Sequence, residues 1–405
     1  MAATSAAPAI AAPAIAVPVD RGLYPDILRY GAADVAACFS CGTCTASCPL
    51  SQDDGAFPRR IIRYAQLGMT DALLSSKELW SCYQCGECAE TCPTQADPSE
   101  FMAATRRYAI AGYDRTHIAR TMYTQPILAT VIAVALAVLF ALFMISARGP
   151  QSTESLAIFE FIPSEMIHNL GIGVMVIVVV AGLAGVVSMA RRIAKREGVG
   201  LSDVVGGRKA LARSGRAAWA AVGREAVGQV QFRKECDADM SAVPWYRRRG
   251  LVHAVTVWGF LGLLAATGLD YGLELLGIKA TGTPVPIWYP VRLLGTVAGF
   301  ALVYGTTVLI IDRYRAANRS VRSSTTADWM LLALLWVTGV TGFAIELALY
   351  LPGVPAWGYW LFLVHVAVAM ELVLLAPFMK LAHAVYRPVA LFFVALTREQ
   401  GREAA

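Results

Sequence analysis

Apolar and polar positions divide this chain in two. From residue 126 onward the apolar residues stop alternating with polar ones. They run on in six long stretches, at 126–146, 166–190, 251–275, 289–311, 328–351 and 357–383. Each reaches the roughly 20 residues a helix needs to cross hydrocarbon, so the pattern predicts six transmembrane helices. Residues 20–120 are mixed in polarity. Within them "PRRIIRYAQLGMTDALL" opens on Pro58 and repeats Ile61, Ile62, Ala65 and Met69 at helical spacing. One helix is expected there. The first twenty residues lack a basic start, and Pro8, Pro13 and Pro18 interrupt their apolar run. They read as a flexible Ala/Pro tail rather than a targeting signal.

Composition agrees with this division. The 405 residues are 57% hydrophobic and only 16% charged, against roughly 25% charged in soluble domains. The net charge of +6 matters less than its placement. Basic residues crowd "ARRIAKREG", the stretch from Arg208 through "WYRRRG", "DRYRAANRSVR", and Arg387, Arg398 and Arg402. The loops at 147–165, 276–288 and 352–356 are poor in Lys and Arg. Positive charge marks the cytoplasmic side, so both termini are expected in the cytoplasm of an inner-membrane, multi-pass protein. The expected division is a tail over 1–19, a cytoplasmic domain over 20–120, a six-span domain over 121–388 that includes the basic loop 191–250, and a cytoplasmic tail over 389–405.

Eight of the nine cysteines fall in that cytoplasmic domain. A reducing compartment argues for metal ligands rather than disulfides. Cys38, Cys41, Cys44 and Cys48 form C-x2-C-x2-C-x3-C-P, and Cys82, Cys85, Cys88 and Cys92 repeat it. In that pattern three thiolates wrap one iron–sulfur cubane and the fourth reaches the other cluster. The expected ligand sets are Cys38, Cys41, Cys44 and Cys92 for one [4Fe-4S] cluster, and Cys82, Cys85, Cys88 and Cys48 for the second. Gly42 and Gly86 are expected to relieve crowding beside sulfide. Structural zinc prefers two C-x2-C pairs and fits this run poorly. Cys236 stands alone and receives no role.

Four of the five histidines lie in or at the ends of apolar runs, where histidine needs a reason. His365 and His383 are 18 residues apart, five helical turns, which places both on one face about 27 Å apart along the axis. His253 and His383 share the cytoplasmic depth, and His168 and His365 the outer depth. Two such pairs suit two b haems, since no C-x-x-C-H is present for covalent attachment. His117 reads as a surface residue. Glu346, Glu371, Asp270, Glu274 and Lys380 are candidates for a quinone site and its proton path. For Asp270 and Glu274 the plain alternative is the interface, and for Lys380 it is snorkelling to the cytoplasmic surface. Glu371 is too deep to reach water unaided. Arg249, Arg292, Arg313 and Arg387 could pair with haem propionates.

The cysteine region, with "IIRYAQLGMTDALLSSKELWSCYQC" between its motifs, resembles the C subunit of heterodisulfide reductase. The apolar part resembles the haem b membrane subunits of the nitrate reductase gamma and heterodisulfide reductase E type. Their fusion is similar to the C subunits of quinone-interacting membrane-bound oxidoreductase complexes. The resemblance implies an all-α fold: a helical ferredoxin domain with two [4Fe-4S] clusters, then a six-helix haem b bundle. It implies a quinone substrate, heterodisulfide reductase A-like flavin/iron–sulfur partners, and electron exchange with adenylylsulfate reductase. His365 and His383 match the gamma spacing. The gamma subunit's other two ligands lie ten residues apart on one helix, whereas the residue ten after His253 is Leu263; His168 is therefore the candidate for the remaining ligand. A nucleic-acid partner is not expected, and no nucleotide loop, flavin fingerprint or catalytic base is visible. The sequence thus reads as an electron conduit. Two alternatives stand beside it: a conduit to a disulfide-reducing or sulfite-reductase-associated enzyme, which co-purifying subunits would reveal, and a haem-free membrane-anchored redox sensor.

Overall fold

The computed structural model describes residues 18–32, 35–51, 56–230, 243–280, 285–315, 324–351 and 356–404. The N-terminal tail through residue 17, Cys236, and the basic stretches 231–242 and 316–323 lie outside the described residues. No β-strand occurs among the described residues, so the fold is all-helical there.

The cysteine region is a set of short helices: α1 Leu23–Leu28, α2 Thr43–Ala46, α3 Arg59–Gln66, α4 Thr70–Leu74, α5 Glu78–Ser81, α6 Glu87–Glu90, α7 Pro98–Tyr113 and α8 Ile118–Thr124. The single helix expected from Pro58 to Leu74 is therefore two. Ile61, Ile62 and Ala65 are fully buried as their spacing predicts. Gly68 then takes φ +69 and Met69 leaves the helical region, which ends α3 and starts α4. Asp97 caps α7 by accepting from the Glu100 N–H at 3.0 Å, with Pro98 in the first turn. That cap follows directly on the second cysteine motif.

The long helices follow: α9 Pro126–Ile145, α10 Ile158–Phe161 (a short turn), α11 Ser164–Glu197, α12 Leu201–Val205, α13 Arg208–Ala218, α14 Arg249–Leu275, α15 Pro290–Tyr314, α16 Thr326–Tyr350, α17 Trp357–Leu375 and α18 His383–Ala404. A π-helical segment, Trp219–Val227, continues α13. By length and composition seven described helices can cross a membrane: the six predicted runs and Lys380–Gly401. Small residues let α14 and α15 meet closely. A methyl group on Gly259 would sit 2.5 Å from the Leu302 backbone nitrogen, and one on Gly262 2.7 Å from the Ala298 Cβ. Such contacts are how helices associate in lipid.

The sixth predicted run differs from expectation. It is not one helix to residue 383. α17 ends at Leu375, the chain turns through Ala376–Phe378 and Lys380–Ala382, and Met379 between them is extended (φ −118°, ψ −172°). Pro377 lacks the N–H that would continue the ladder, and its ring disfavours a continuing helix. The five-turn alignment of His365 and His383 on one face is thereby lost, because they sit on different helices. Residues expected as a C-terminal tail are helical through Ala404.

α18 packs on the cysteine region and on α11, α13 and Trp219–Val227. Tyr386 joins Trp80 (ring centres 5.4 Å apart) and Tyr113 (5.3 Å). Lys77 reaches Thr397 at 2.8 Å and also pairs with Glu197 of α11. Arg196, near the end of α11, donates to the Ala72 carbonyl and to the Tyr64 hydroxyl.

Candidate functional site: the cysteine motifs and the histidine pair beneath them

The two cysteine motifs fold alike. Ser40 and Gln84, each just before the second cysteine, take φ +62 and +55, and Gly42 and Gly86, just after it, take φ +92 and +100. The glycines are needed for that left-handed backbone. A methyl on Gly42 would also meet Arg59 Nη1 at 3.0 Å. Each glycine then starts a one-turn helix, α2 or α6, carrying the third cysteine of its motif. The residues before each fourth cysteine join the motifs, with Ser47 Oγ 3.0 Å from Thr91 Oγ1.

One cavity is lined by Cys82, Cys85 and Cys88 together with Cys48 of the first motif, closed by Phe57 and Met102. Burial holds the Cys48 thiol up at about 11, with nearby Cys82 and Cys85 adding to the rise. The Cys88 thiol is raised by burial and then by Cys82, Cys85 and Cys48. Cys44 is raised by burial and then by Cys38, with Cys41 and Cys92 also close enough to contribute. Cys48 thus lies beside the cysteines of the second motif, and Cys92 lies within electrostatic reach of Cys44. Cys41 of the first motif and Cys85 of the second are both exposed, while Cys44 is buried. Among the described residues no three His, Cys, Asp or Glu side chains draw together as around a single metal ion.

The second motif is clamped to the helices that carry the histidines. Arg387 of α18 donates to the Cys82 carbonyl at 3.0 Å and lies over the Tyr83 ring at 4.3 Å. Arg106 of α7 donates to the same carbonyl and to Gln84 Oε1, each at 3.0 Å. Arg249 of α14 donates to the Gln84 carbonyl at 3.3 Å. Arg387 is one turn after His383, and Arg249 one turn before His253.

Those two histidines face each other, their ring centres 6.4 Å apart and their planes at 56°. A metal–imidazole bond of about 2 Å on each side would set ring centres roughly 6 Å apart, so the two residues could hold one metal ion between them. His383 Nδ1 donates to the Lys380 carbonyl, and His253 Nδ1 lies 3.0 Å from Gln229 Oε1. With Nδ1 so engaged, Nε2 is the ring nitrogen that carries the lone pair for a metal.

The outer pair is placed otherwise. His168 of α11 packs on Tyr271 of α14, ring centres 4.2 Å apart. His365 Nδ1 lies 2.9 Å from Thr341 Oγ1, which itself donates to the Val337 carbonyl. Neither contact is with the other histidine. His117 is exposed, as expected.

Most of the candidate acidic and basic groups are in local pairs. Lys279 binds Asp270 at 2.7 Å and Glu274 at 3.6 Å. Glu346 accepts from Thr296 at 3.0 Å and pairs with Arg292. Lys380 pairs with Asp328 at 2.9 Å rather than snorkelling. Glu371 differs: it is 2% exposed, and its Oε1 has no hydrogen-bond partner. Sequence reasoning missed Asp328, which is 3% exposed, pairs with Arg107 and Lys380, and caps α16 with Thr325. The run Thr325-Thr326-Ala327-Asp328 carries the capping-box spacing that announces it.

The architecture is that of an iron–sulfur protein whose cluster domain stands on long apolar helices. Residues 34–96 match the model of the 4Fe-4S dicluster domain. Residues 119–405 match the family of citrate utilization protein B, and the chain belongs to that family. It is 29% identical to citrate utilization protein B of Escherichia coli over 42% of this chain and 43% of that protein. It is 48% identical to the iron–sulfur C subunit of a CoB–CoM heterodisulfide reductase from Methanopyrus kandleri over 11% of this chain and 24% of that one. A third relative is the C subunit of the heterodisulfide, ferredoxin reductase of Methanothermobacter thermautotrophicus, 37% identical over 15% and 34%. The chain thus covers less than half the length of each relative. No solved structure matches. The dicluster domain and its homology to the C subunit of heterodisulfide reductase make the cysteine region an electron-transfer module carrying [4Fe-4S] clusters.

Proposed function

We propose that the chain is a membrane electron conduit, passing electrons between a soluble flavin/iron–sulfur partner and the quinone pool through two [4Fe-4S] clusters and two b haems. One observation carries the reading. The backbone of the second cysteine motif is held by arginines one turn from two histidines whose rings lie 6.4 Å apart. An iron–sulfur motif and a metal-spaced histidine pair are thereby placed together at the mouth of the helical bundle.

In this reading residues 20–120 form the cluster domain and residues 121–388 the haem domain. Cys38, Cys41, Cys44 and Cys92 hold the cluster farther from the histidines and nearer the partner. Cys82, Cys85, Cys88 and Cys48 hold the one nearer the histidines. His253 and His383 ligate the inner haem, and His168 and His365 the outer. The bound groups supply one-electron redox chemistry. The protein supplies positive charge beside the second cluster through Arg106, Arg249 and Arg387, which favours its reduced state. Glu371, buried and unpaired at one oxygen, is the carboxyl to carry the quinone proton. Asp270, Glu274, Glu346 and Lys380 have salt-bridge partners and serve the fold first.

The relatives' names give two partner chemistries, citrate utilization and heterodisulfide reduction. The family match over residues 119–405 favours the first, and the adenylylsulfate link rests on resemblance alone. Partner proteins co-purified with the tagged chain distinguish the three. The test of the conduit itself is a reduced-minus-oxidised spectrum with haem and iron counts, followed by reduction with a quinol analogue. Two b haems, about eight irons and quinol-reducible haem are expected. A folded protein without haem returns the histidines to packing and leaves the haem-free sensor.

A further inference from the structure

One segment touches both redox sites, and nothing in the sequence singled it out. It is Trp219–Val227 with the two residues that follow, Gly228 and Gln229. At Glu225 it accepts a hydrogen bond from Tyr83, which lies between Cys82 and Cys85, at 3.2 Å. At Gln229 it places Oε1 3.0 Å from His253 Nδ1. Gln229 is 5% exposed and takes φ +49, a left-handed backbone that residues with a side chain rarely adopt. A polar side chain is thus buried on a strained backbone with its carbonyl against an intramembrane histidine.

We infer that Gln229 is a positioning residue for His253, accepting its Nδ1–H and so fixing Nε2 toward His383 and setting how strongly the ring donates to a bound iron. The inference rests on the haem reading above and adds to it a specific control of one haem. His383 is set differently. Its Nδ1 donates to a backbone carbonyl, that of Lys380, which no side-chain change removes. His365 uses the Thr341 hydroxyl. Only the inner site is tuned from the long basic loop, by a segment that also holds the cysteine motif through Tyr83. A hydrogen bond from Nδ1–H makes an imidazole a stronger donor, which favours ferric iron. Losing the acceptor weakens that donation, and a carboxylate in its place strengthens it.

The test is a potentiometric titration of the haem spectra of the full-length protein and of Q229L and Q229E. The inner haem is assigned by its absence from His383→Ala. Its midpoint is expected to rise in Q229L and fall in Q229E, each by a roughly threefold to tenfold change in the reduction equilibrium. Tenfold is about 59 mV for one electron. The outer haem should stay unmoved. Opposite displacements by the two variants are a signature that a merely structural role would not give. Midpoints unchanged in both, or moved in the same direction, overturn the inference. If Q229L does not retain the inner haem, Q229E decides alone, and a midpoint that does not fall overturns it. A wild-type protein without haem would instead sink the conduit reading, so the two failures are distinct.

Discussion

Cys48 and Arg387 are the residues at which the reading is most exposed to test. Cys48 belongs to the first motif by sequence but lines the cavity of the second. Cys48→Ser should therefore remove the cluster held by Cys82, Cys85 and Cys88, and leave the one held by Cys38, Cys41 and Cys44. Non-haem iron should fall from about eight to about four per chain, and the remaining electron paramagnetic resonance signal should match that of Cys88→Ser rather than Cys44→Ser. Arg387 reaches Cys82 and Tyr83 from one turn beyond His383. Arg387→Ala removes a buried donor and a charge at the same point. Stopped-flow reduction of the haem from the cluster side should slow about tenfold, the change that 1.4 kcal/mol in barrier produces, with haem and iron content unchanged. A wild-type rate would show that the clamp only holds the domains together.

At the level of elements, the fold depends on a buried charge cluster at the start of α16. Asp328 accepts from Arg107 of α7 at 3.1 Å and pairs with Lys380, in the turn between α17 and α18, at 2.9 Å. Three parts of the chain meet at that one carboxylate. Asp328→Asn keeps the shape but leaves two cations without their charge. Removing one partner of a buried pair costs about 3–5 kcal/mol, and a melting temperature lowered by several degrees in detergent should register it. The same element scale shows what the sequence could tell. The cysteine motifs were legible because their ligands lie two or three residues apart, so local spacing encodes the geometry. The rule that sends the fourth cysteine to the other cluster is equally local. The break after Leu375 was signalled by Pro377, but an apolar run on both sides hid it. The clamp was not legible, since Arg249 and Arg387 meet Gln84 and Cys82 from 165 and 305 positions away. Nor was Gln229, which meets His253 from 24 positions away with no periodic pattern to announce the contact. Both are products of tertiary packing.

For the whole molecule the question is which helices cross the bilayer. Length and composition allow seven, which would put the two ends of the described chain on opposite sides. The packing of α18 argues for six. Along its length Tyr386 meets Trp80, Arg387 meets Cys82, Thr397 meets Lys77 and Glu399 meets Arg216. A helix in hydrocarbon cannot also lie against a polar cluster domain, because the lysine, arginine and backbone groups it touches would be stripped of water. On this argument α18 is expected beside the cluster domain on the membrane face, with the chain leaving the bilayer at the turn around Pro377. The positive-inside bias of the sequence predicts the same topology. Fusions report this directly. Green fluorescent protein after Ala405 should fluoresce, and alkaline phosphatase there should be inactive, whereas phosphatase inserted at Thr153 should be active. An active phosphatase after Ala405 would make α18 a seventh crossing. The contacts of Trp80, Cys82 and Lys77 with α18 could not then form in the membrane, and the path from clusters to haem would have to be redrawn.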